Sequence, residues 1–177
     1  MRFIKEKKVV NENYHPDIFS VLFSSCFYIG YIKKASGTFG SLFGILFFLI
    51  PGFHNVYILL PVIVICFVTG VYTSGIMMKR FGDDPSEVVI DEVVGMWITV
   101  MIFLFFNTEV AALNFIQFSV LFLAFRFFDI VKVQPAKYFD RIDTAFGVMM
   151  DDVIAGIYAG AASVILLKLF NNIWSIV

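Results

Sequence analysis

Long uncharged apolar runs, broken by short polar clusters, dominate this chain. From Ala35 to Met78 there is no Lys, Arg, Asp or Glu. As one helix that run would be about 66 Å long, against a hydrocarbon core of roughly 30 Å. It must therefore turn back, and Pro51-Gly52-Phe53-His54-Asn55 supplies the turn between segments at about 39–50 and 56–78. Further apolar stretches run over Val93–Thr108, Val110–Phe125 and Val153–Leu167, each near the shortest length that spans a bilayer. The stretch Ile18–Ile32 differs, being interrupted by Ser20, Ser24 and Ser25 and closed by Lys33-Lys34.

Basic residues prefer the cytoplasmic side. Placing Lys5–Lys8, Lys33-Lys34, Lys79-Arg80 and Arg126–Arg141 there fixes an orientation, and Ile18–Ile32 then returns to the side where it began. That stretch reads as a re-entrant or interfacial helix. The expected fold is all-α, a polytopic helical membrane protein with four or five spanning helices plus this N-terminal helix. Residues 1–177 read as a single membrane-embedded domain, in which 1–15 form a polar N-terminal segment without a leader's cleavage pattern.

Composition supports a bilayer setting: 60% of residues are hydrophobic, 15% charged, and 23 are Phe, more apolar surface than a globule of this length comfortably buries. The net charge of -1 gives no basic excess for nucleic acid. Cys26 and Cys66 have no CxxC spacing and read as free buried thiols. His15 and His54 have no neighbours that would make a zinc cluster or a histidine-assisted nucleophile. The chemistry on offer is that of carboxylates.

These gather in three places. Asp83-Asp84-Pro85-Ser86-Glu87-Val88-Val89-Ile90-Asp91-Glu92 precedes an apolar run, with Asp84, Pro85 and Glu87 set out as a capping-box helix start. Asp91 and Glu92 would then lie a turn or more deeper. In Arg126-Phe127-Phe128-Asp129-Ile130-Val131-Lys132 the three charges recur every third residue, on one helical face, ahead of Pro135. The third cluster is Asp151-Asp152, followed by Gly156 and Gly160 on one stripe with Asp152, a spacing that marks close helix packing.

Left charged and unpaired at bilayer depth, Glu87, Asp91, Glu92, Asp129, Asp151 and Asp152 would each cost roughly 2.5–3.5 kcal/mol. Arg126 and Lys132 neutralise two of them. The acidic surplus suits a hard divalent cation with oxygen ligands, Mg²⁺ first. In the orientation above, all three clusters fall at the cytoplasmic ends of their helices. On the same side, Lys33-Lys34-Ala35-Ser36-Gly37-Thr38-Phe39-Gly40-Ser41 offers glycines, hydroxyls and a helix start to an anion, although as a pattern it is equally a plain interhelical turn.

Four ordered blocks, Gly30–Ser41, Asp84–Glu92, Arg126–Lys132 and Gly147–Gly156, make the sequence resemble the bacterial phosphatidylglycerophosphatase A family from about Phe27 onward. The resemblance implies a membrane-embedded, helical, Mg²⁺-dependent enzyme that removes the terminal phosphate of phosphatidylglycerophosphate to give phosphatidylglycerol. It further implies a multi-pass protein of the bacterial inner membrane whose active site, built from the acids of the last three blocks, faces the cytoplasm. The chain departs from the family pattern at Lys34 and Ser36, where prolines are common, and at Val133-Gln134, where Pro-Trp often follows the lysine.

The expected site follows. Glu87, Asp91, Asp129, Asp151 and Asp152 hold one or two Mg²⁺. Lys34, Gly37, Thr38, Arg126 and Lys132 grip the phosphate, and the catalytic group is Asp91, Glu92, Asp129, Arg126 and Lys132. Glu92 or a neighbouring carboxylate acts as base toward water, or Asp129 or Asp91 forms an aspartyl-phosphate. The alternative from another class is a small cation or proton-coupled transporter or channel, which predicts a polar stripe through the bilayer midplane. The apolar centres of 39–50, 56–78 and 93–106 favour the enzyme.

Overall fold

A computed structural model describes residues 11–107 and 113–174, with side chains described as far as 170. Most of the expected polar segment 1–15, and the expected apolar start at Val110, lie outside the described residues. All regular structure among those described is helical.

Helix α1 (Ile18–Ser24) is capped by Asp17, whose side chain accepts the Ser20 N–H at 2.9 Å. Cys26, Phe27 and Tyr28 then take positive φ and lead into a single 3₁₀ turn, Ile29–Tyr31. Helix α2 (Ser36–Leu46) runs on into a second 3₁₀ turn, Phe47–Leu49. The turn expected at Pro51–Asn55 follows, and Asn55 caps α3 (Val56–Phe81) by accepting the Tyr57 N–H at 2.9 Å. After it come α4 (Ile90–Phe106), α5 (Phe115–Val131), the short α6 (Ala136–Phe139) and α7 (Ala145–Trp174). Among the described residues, two helices are long and apolar enough to cross a membrane, α3 and the Ala145–Phe170 portion of α7. At 1.5 Å per residue, the 26 residues of each reach about 39 Å.

Helix α4 occupies the centre. Val93, Val94, Met96, Trp97, Val100 and Phe103 are all buried, as expected of a helix that is apolar around its whole circumference. It packs against α7 at backbone distance, because a Cβ on Gly156 would lie only 2.4 Å from the Gly95 carbonyl oxygen. The Thr99 hydroxyl ties the crossing together, donating to the Gly95 carbonyl at 3.0 Å and reaching that of Gly156 at 3.3 Å. On another side, the Trp97 indole N–H donates to the Gly44 carbonyl of α2 at 2.8 Å. The close packing expected of the Asp152, Gly156, Gly160 stripe is thus present.

The start of α4 differs from the sequence expectation. Asp84 does not cap a helix; it takes a positive φ of 48°, and residues 82–89 form an irregular segment. Distant contacts override the local capping signal. The Val89 N–H donates to the Ser24 carbonyl at 2.8 Å, Ser36 Oγ donates to the Ser86 carbonyl at 3.0 Å, and Gly30 sits directly against the Glu87 backbone. Asp91 and Glu92 consequently open the first turn of α4 instead of lying deeper along it.

Candidate active site

The charged ends of four helices meet at one end of the bundle. Glu92 comes from the first turn of α4, Asp129 from the last turn of α5 and Asp152 from the second turn of α7. Their carboxylate oxygens lie within 4.8 Å of one another, and all three residues are at least half-buried. The fourth helix, α2, contributes backbone. A Cβ on Gly37 would fall 1.9 Å from Glu92 Oε1 and 3.3 Å from Arg126 Nη1, so only glycine lets α2 approach the carboxylates this closely.

Arg126 threads the trio. Its Nη1 pairs with Glu92 Oε2, lies 3.1 Å from Asp129 Oδ2, and donates to Ser41 Oγ at 3.4 Å. Ser41, fully buried on α2, donates to the Gly37 carbonyl at 2.9 Å, and its Oγ lies 3.2 Å from Glu92 Oε2. The guanidinium fork suits this role, since it presents several donors in one plane.

A second cation serves the other side of the site. Lys132, the C-cap of α5 with φ of 48°, pairs through Nζ with Asp151 Oδ2 on α7 and Asp140 Oδ1 at the end of α6. Burial alone works against the ammonium, but the Asp151 charge and the hydrogen bonds to Asp140 and Asp151 outweigh it and push the Lys132 pKa above the ordinary lysine range.

Adjacent acids thus divide between the two sides. Consecutive helical residues point about 100° apart, so Asp91-Glu92 and Asp151-Asp152 cannot each aim both members at one spot. Glu92 and Asp152 join Asp129 beside Arg126. Asp151 faces Lys132, and Asp91 interacts electrostatically with Asp151 as well as with Glu92. One oxygen of Asp91 accepts the Glu92 N–H at 2.9 Å in the first turn of α4, and one of Asp151 accepts the Asp152 N–H at 3.0 Å in the second turn of α7, which orients both side chains.

Of the remaining expected residues, Glu87 is buried in the irregular segment before α4, where it accepts from Ser86 Oγ at 3.3 Å; it is not one of the three clustered carboxylates. Thr38 sits half-buried in the first turn of α2. Lys34 is exposed in the link before it, and none of the described carboxylates pairs with it. Asp140 was not expected from sequence, and Ser41 entered only as one hydroxyl of the Lys33–Ser41 block, not as a partner of Glu92 and Arg126. The contacts that give them a place span 51 and 85 residues for Ser41 and 8 for Asp140, and nothing local in the chain announces them.

A three-carboxylate pocket with oxygen donors only, beside two fixed cations, is equipped to hold a hard metal ion and a phosphate together. The family model described as Phosphatidylglycerophosphatase A matches residues 22–167. A Haemophilus influenzae protein named Phosphatidylglycerophosphatase A is 37% identical over 133 residues, covering 73% of this chain and 77% of that protein. An Escherichia coli protein of the same name is 34% identical over 125 residues, covering 68% and 67%. A Bacteroides thetaiotaomicron protein provisionally named a phosphatidylinositol-3-phosphatase is 31% identical over 153 residues, covering 81% and 91%. No solved structure matches the chain.

Proposed function

Because the chain belongs to the phosphatidylglycerophosphatase A family, we propose that its carboxylate pocket hydrolyses phosphatidylglycerophosphate to phosphatidylglycerol and inorganic phosphate. The observation that carries this reading is the convergence of Glu92, Asp129 and Asp152 from three helices on Arg126. Neither the family nor the relatives lend support to the transport alternative.

Mg²⁺ fits the donor set. Three carboxylates against one guanidinium leave two negative charges, the match for one divalent ion, and all the donors are oxygens. Glu92, Asp129 and Asp152 would hold it, with Asp151, Asp91 and Glu87 behind them. When bound, such an ion supplies Lewis acidity toward a phosphoryl oxygen and a water.

The chain's own residues do the rest. Arg126 and Lys132 flank the pocket and take the equatorial oxygens of the phosphoryl group, on which charge spreads in the transition state. The first turn of α2, which brings Gly37 against Glu92 and Arg126, would favour an anion through its N-terminal N–H groups. One water is consumed. Its oxygen bonds to phosphorus as the bond to the glycerol oxygen breaks, and its proton passes through a carboxylate to that leaving oxygen. We assign the relay to Asp91, which lies beside the trio without being a member of it.

The same reading sets the protein in the membrane. Helices α4 and α5, of 17 residues each, reach about 25 Å and cross beside α3 and α7, while α2 with its 3₁₀ turn forms a shorter fifth crossing. The α1 hairpin lies in the interface, with Phe27 and Tyr28 exposed at its tip. The carboxylates then face the cytoplasm of a bacterial inner membrane beside Lys33, Lys34, Lys79 and Arg80.

Phosphate release by purified protein from vesicles of phosphatidylglycerophosphate, and in parallel of phosphatidylinositol 3-phosphate, tests the proposal. Hydrolysis of the first lipid that needs Mg²⁺ and falls steeply in Asp91→Asn is the expected outcome. Full activity after chelation, or in that variant, overturns the site; preference for the inositol lipid overturns the substrate.

A further inference from the structure

The ammonium of Lys132 is shared between two carboxylates of unequal standing. The Asp151 side chain is 9% exposed and that of Asp140 is 36% exposed. Asp151 is the buried member, and its other oxygen also accepts from the Asp152 N–H at 3.0 Å, so turning away would strip a buried carboxylate of the partners it has. The Asp140 side chain can turn into solvent at small cost.

The backbone that carries Asp140 is fixed. Tyr158 Oη donates to the Gln134 carbonyl at 2.8 Å, which pins the front of the loop between α5 and α7. Its rear packs on α7 at Gly147, where a Cβ would lie 2.3 Å from the Ile142 carbonyl oxygen and 2.8 Å from that of Phe139. Asp140 and Asp151, the two carboxylates that pair with Lys132, also line one narrow cleft together with Asp84 and Asp143.

We propose that Asp140 is a placeholder for the substrate's terminal phosphate: it occupies Lys132 in the resting enzyme and is displaced by a phosphate dianion, which sets affinity and selects dianionic phosphomonoesters over monoanionic phosphodiesters. This rests on Lys132 gripping phosphate, as proposed above. The physical reason is competition. A membrane surface presents phosphodiester head groups at high local concentration, each with one negative charge, and an uncovered Lys132 would bind them. One carboxylate already in place offsets a single charge, and a phosphomonoester brings two. Release is a side-chain rotation, because the loop backbone is anchored at both ends. Asp140 is on this account a positioning residue, not a catalytic one.

The test uses the full chain in mixed micelles of phosphatidylglycerophosphate and detergent, measuring KM, kcat, the inhibition constant of inorganic phosphate, and inhibition by added phosphatidylglycerol. A partly exposed pair of this kind is worth about a two- to fivefold change in binding. Asp140→Asn is therefore expected to lower the phosphate inhibition constant and KM by about that factor and to make phosphatidylglycerol a better inhibitor, while Asp140→Glu restores both to the unsubstituted values. An unchanged or raised phosphate constant in Asp140→Asn, or a loss of kcat alone, overturns the placeholder. Lys132→Gln separates the two levels. If it weakens phosphate binding while Asp140→Asn does nothing, only the placeholder fails; if it leaves phosphate binding intact, the phosphate-gripping role of Lys132 fails and the placeholder with it.

Discussion

Replacing Gly37 by alanine sets helix stability against site geometry, and the structure says which way each moves. Gly37 is the second residue of α2, and alanine in a helix is favoured over glycine by roughly 0.5–1 kcal/mol. At this position, however, the new methyl would lie 1.9 Å from Glu92 Oε1. Real contacts of this type do not fall below about 3 Å, so the Glu92 oxygen must retreat by about 1.1 Å. The obstacle is the far end of a side chain, which can rotate away without unfolding the protein. It cannot do so and keep its contacts with Arg126 and Ser41. A displacement of about 1 Å at a reacting centre costs on the order of 10²-fold in rate. Gly37→Ala is expected to keep its thermal midpoint in detergent within a few degrees of the unsubstituted protein while kcat for phosphate release falls about 100-fold. Gly75→Ala serves as the control: its methyl meets nothing closer than 3.6 Å, and it should leave activity unchanged. Full activity in Gly37→Ala would show that Glu92 need not stand where α2 holds it, and the assignment of the pocket would fall.

Other consequences are equally direct. Gly156→Ala puts a methyl 2.4 Å from a backbone oxygen that no rotamer can move; it should cost about 1–3 kcal/mol of stability by overpacking, read as a lowered unfolding midpoint, and an unchanged midpoint would show that α4 and α7 are not in backbone contact. Arg126→Lys keeps the charge but loses the fork that reaches Glu92, Asp129 and Ser41, so kcat should fall at least about 10-fold, and retention of the full rate would refute the clamp. The Lys132 pKa lies above its ordinary value; the stability its ion pairs contribute is then complete below the unfolded value of about 10.4 and is lost only as pH rises through the higher folded value. The rate against pH should therefore show no Lys132 break below about pH 10, and a break near 9 that disappears in Lys132→Arg would contradict this.

The helices were legible where apolar length decides them, and less so where a remote partner does. The turn at Pro51–Asn55 and the glycine stripe after Asp152 followed from local residue type alone. The start of α4 did not, because the capping signal of Asp84-Pro85-Ser86-Glu87 is genuine but loses to the hydrogen bond from Val89 to Ser24 and to the packing of Gly30 on Glu87. The start of α5 carries a local signal: Asn114 and Gln117 form a reciprocal capping box, with N–H to side-chain distances of 2.9 Å in both directions. Spacing identified the acids of the candidate site as a set but not their partition, because the split of each Asp91-Glu92 and Asp151-Asp152 pair depends on how α4 and α7 are rotated against each other.

That rotation is controlled by residues with no chemistry of their own. If all of Glu92, Asp129 and Asp152 are ionised, each pair, lying within 4.8 Å, repels by at least about 3 kcal/mol at an effective dielectric near 20. One guanidinium offsets only part of that total. Left to electrostatics, the helix ends would splay. They are held instead by contacts that do not involve charge: Gly95 against Gly156, the Thr99 hydroxyl across the same crossing, Phe125 buried against Gly95, and Trp97 bonded to Gly44. All of these lie deeper in the bundle than the carboxylates. Packing of the apolar interior thus holds the acids closer than they would stand by themselves, and a bound cation would relieve the excess repulsion. On the proposed reading, the affinity of the cluster for a divalent ion would be set by the glycines of α4 and α7 as much as by Glu92, Asp129 and Asp152.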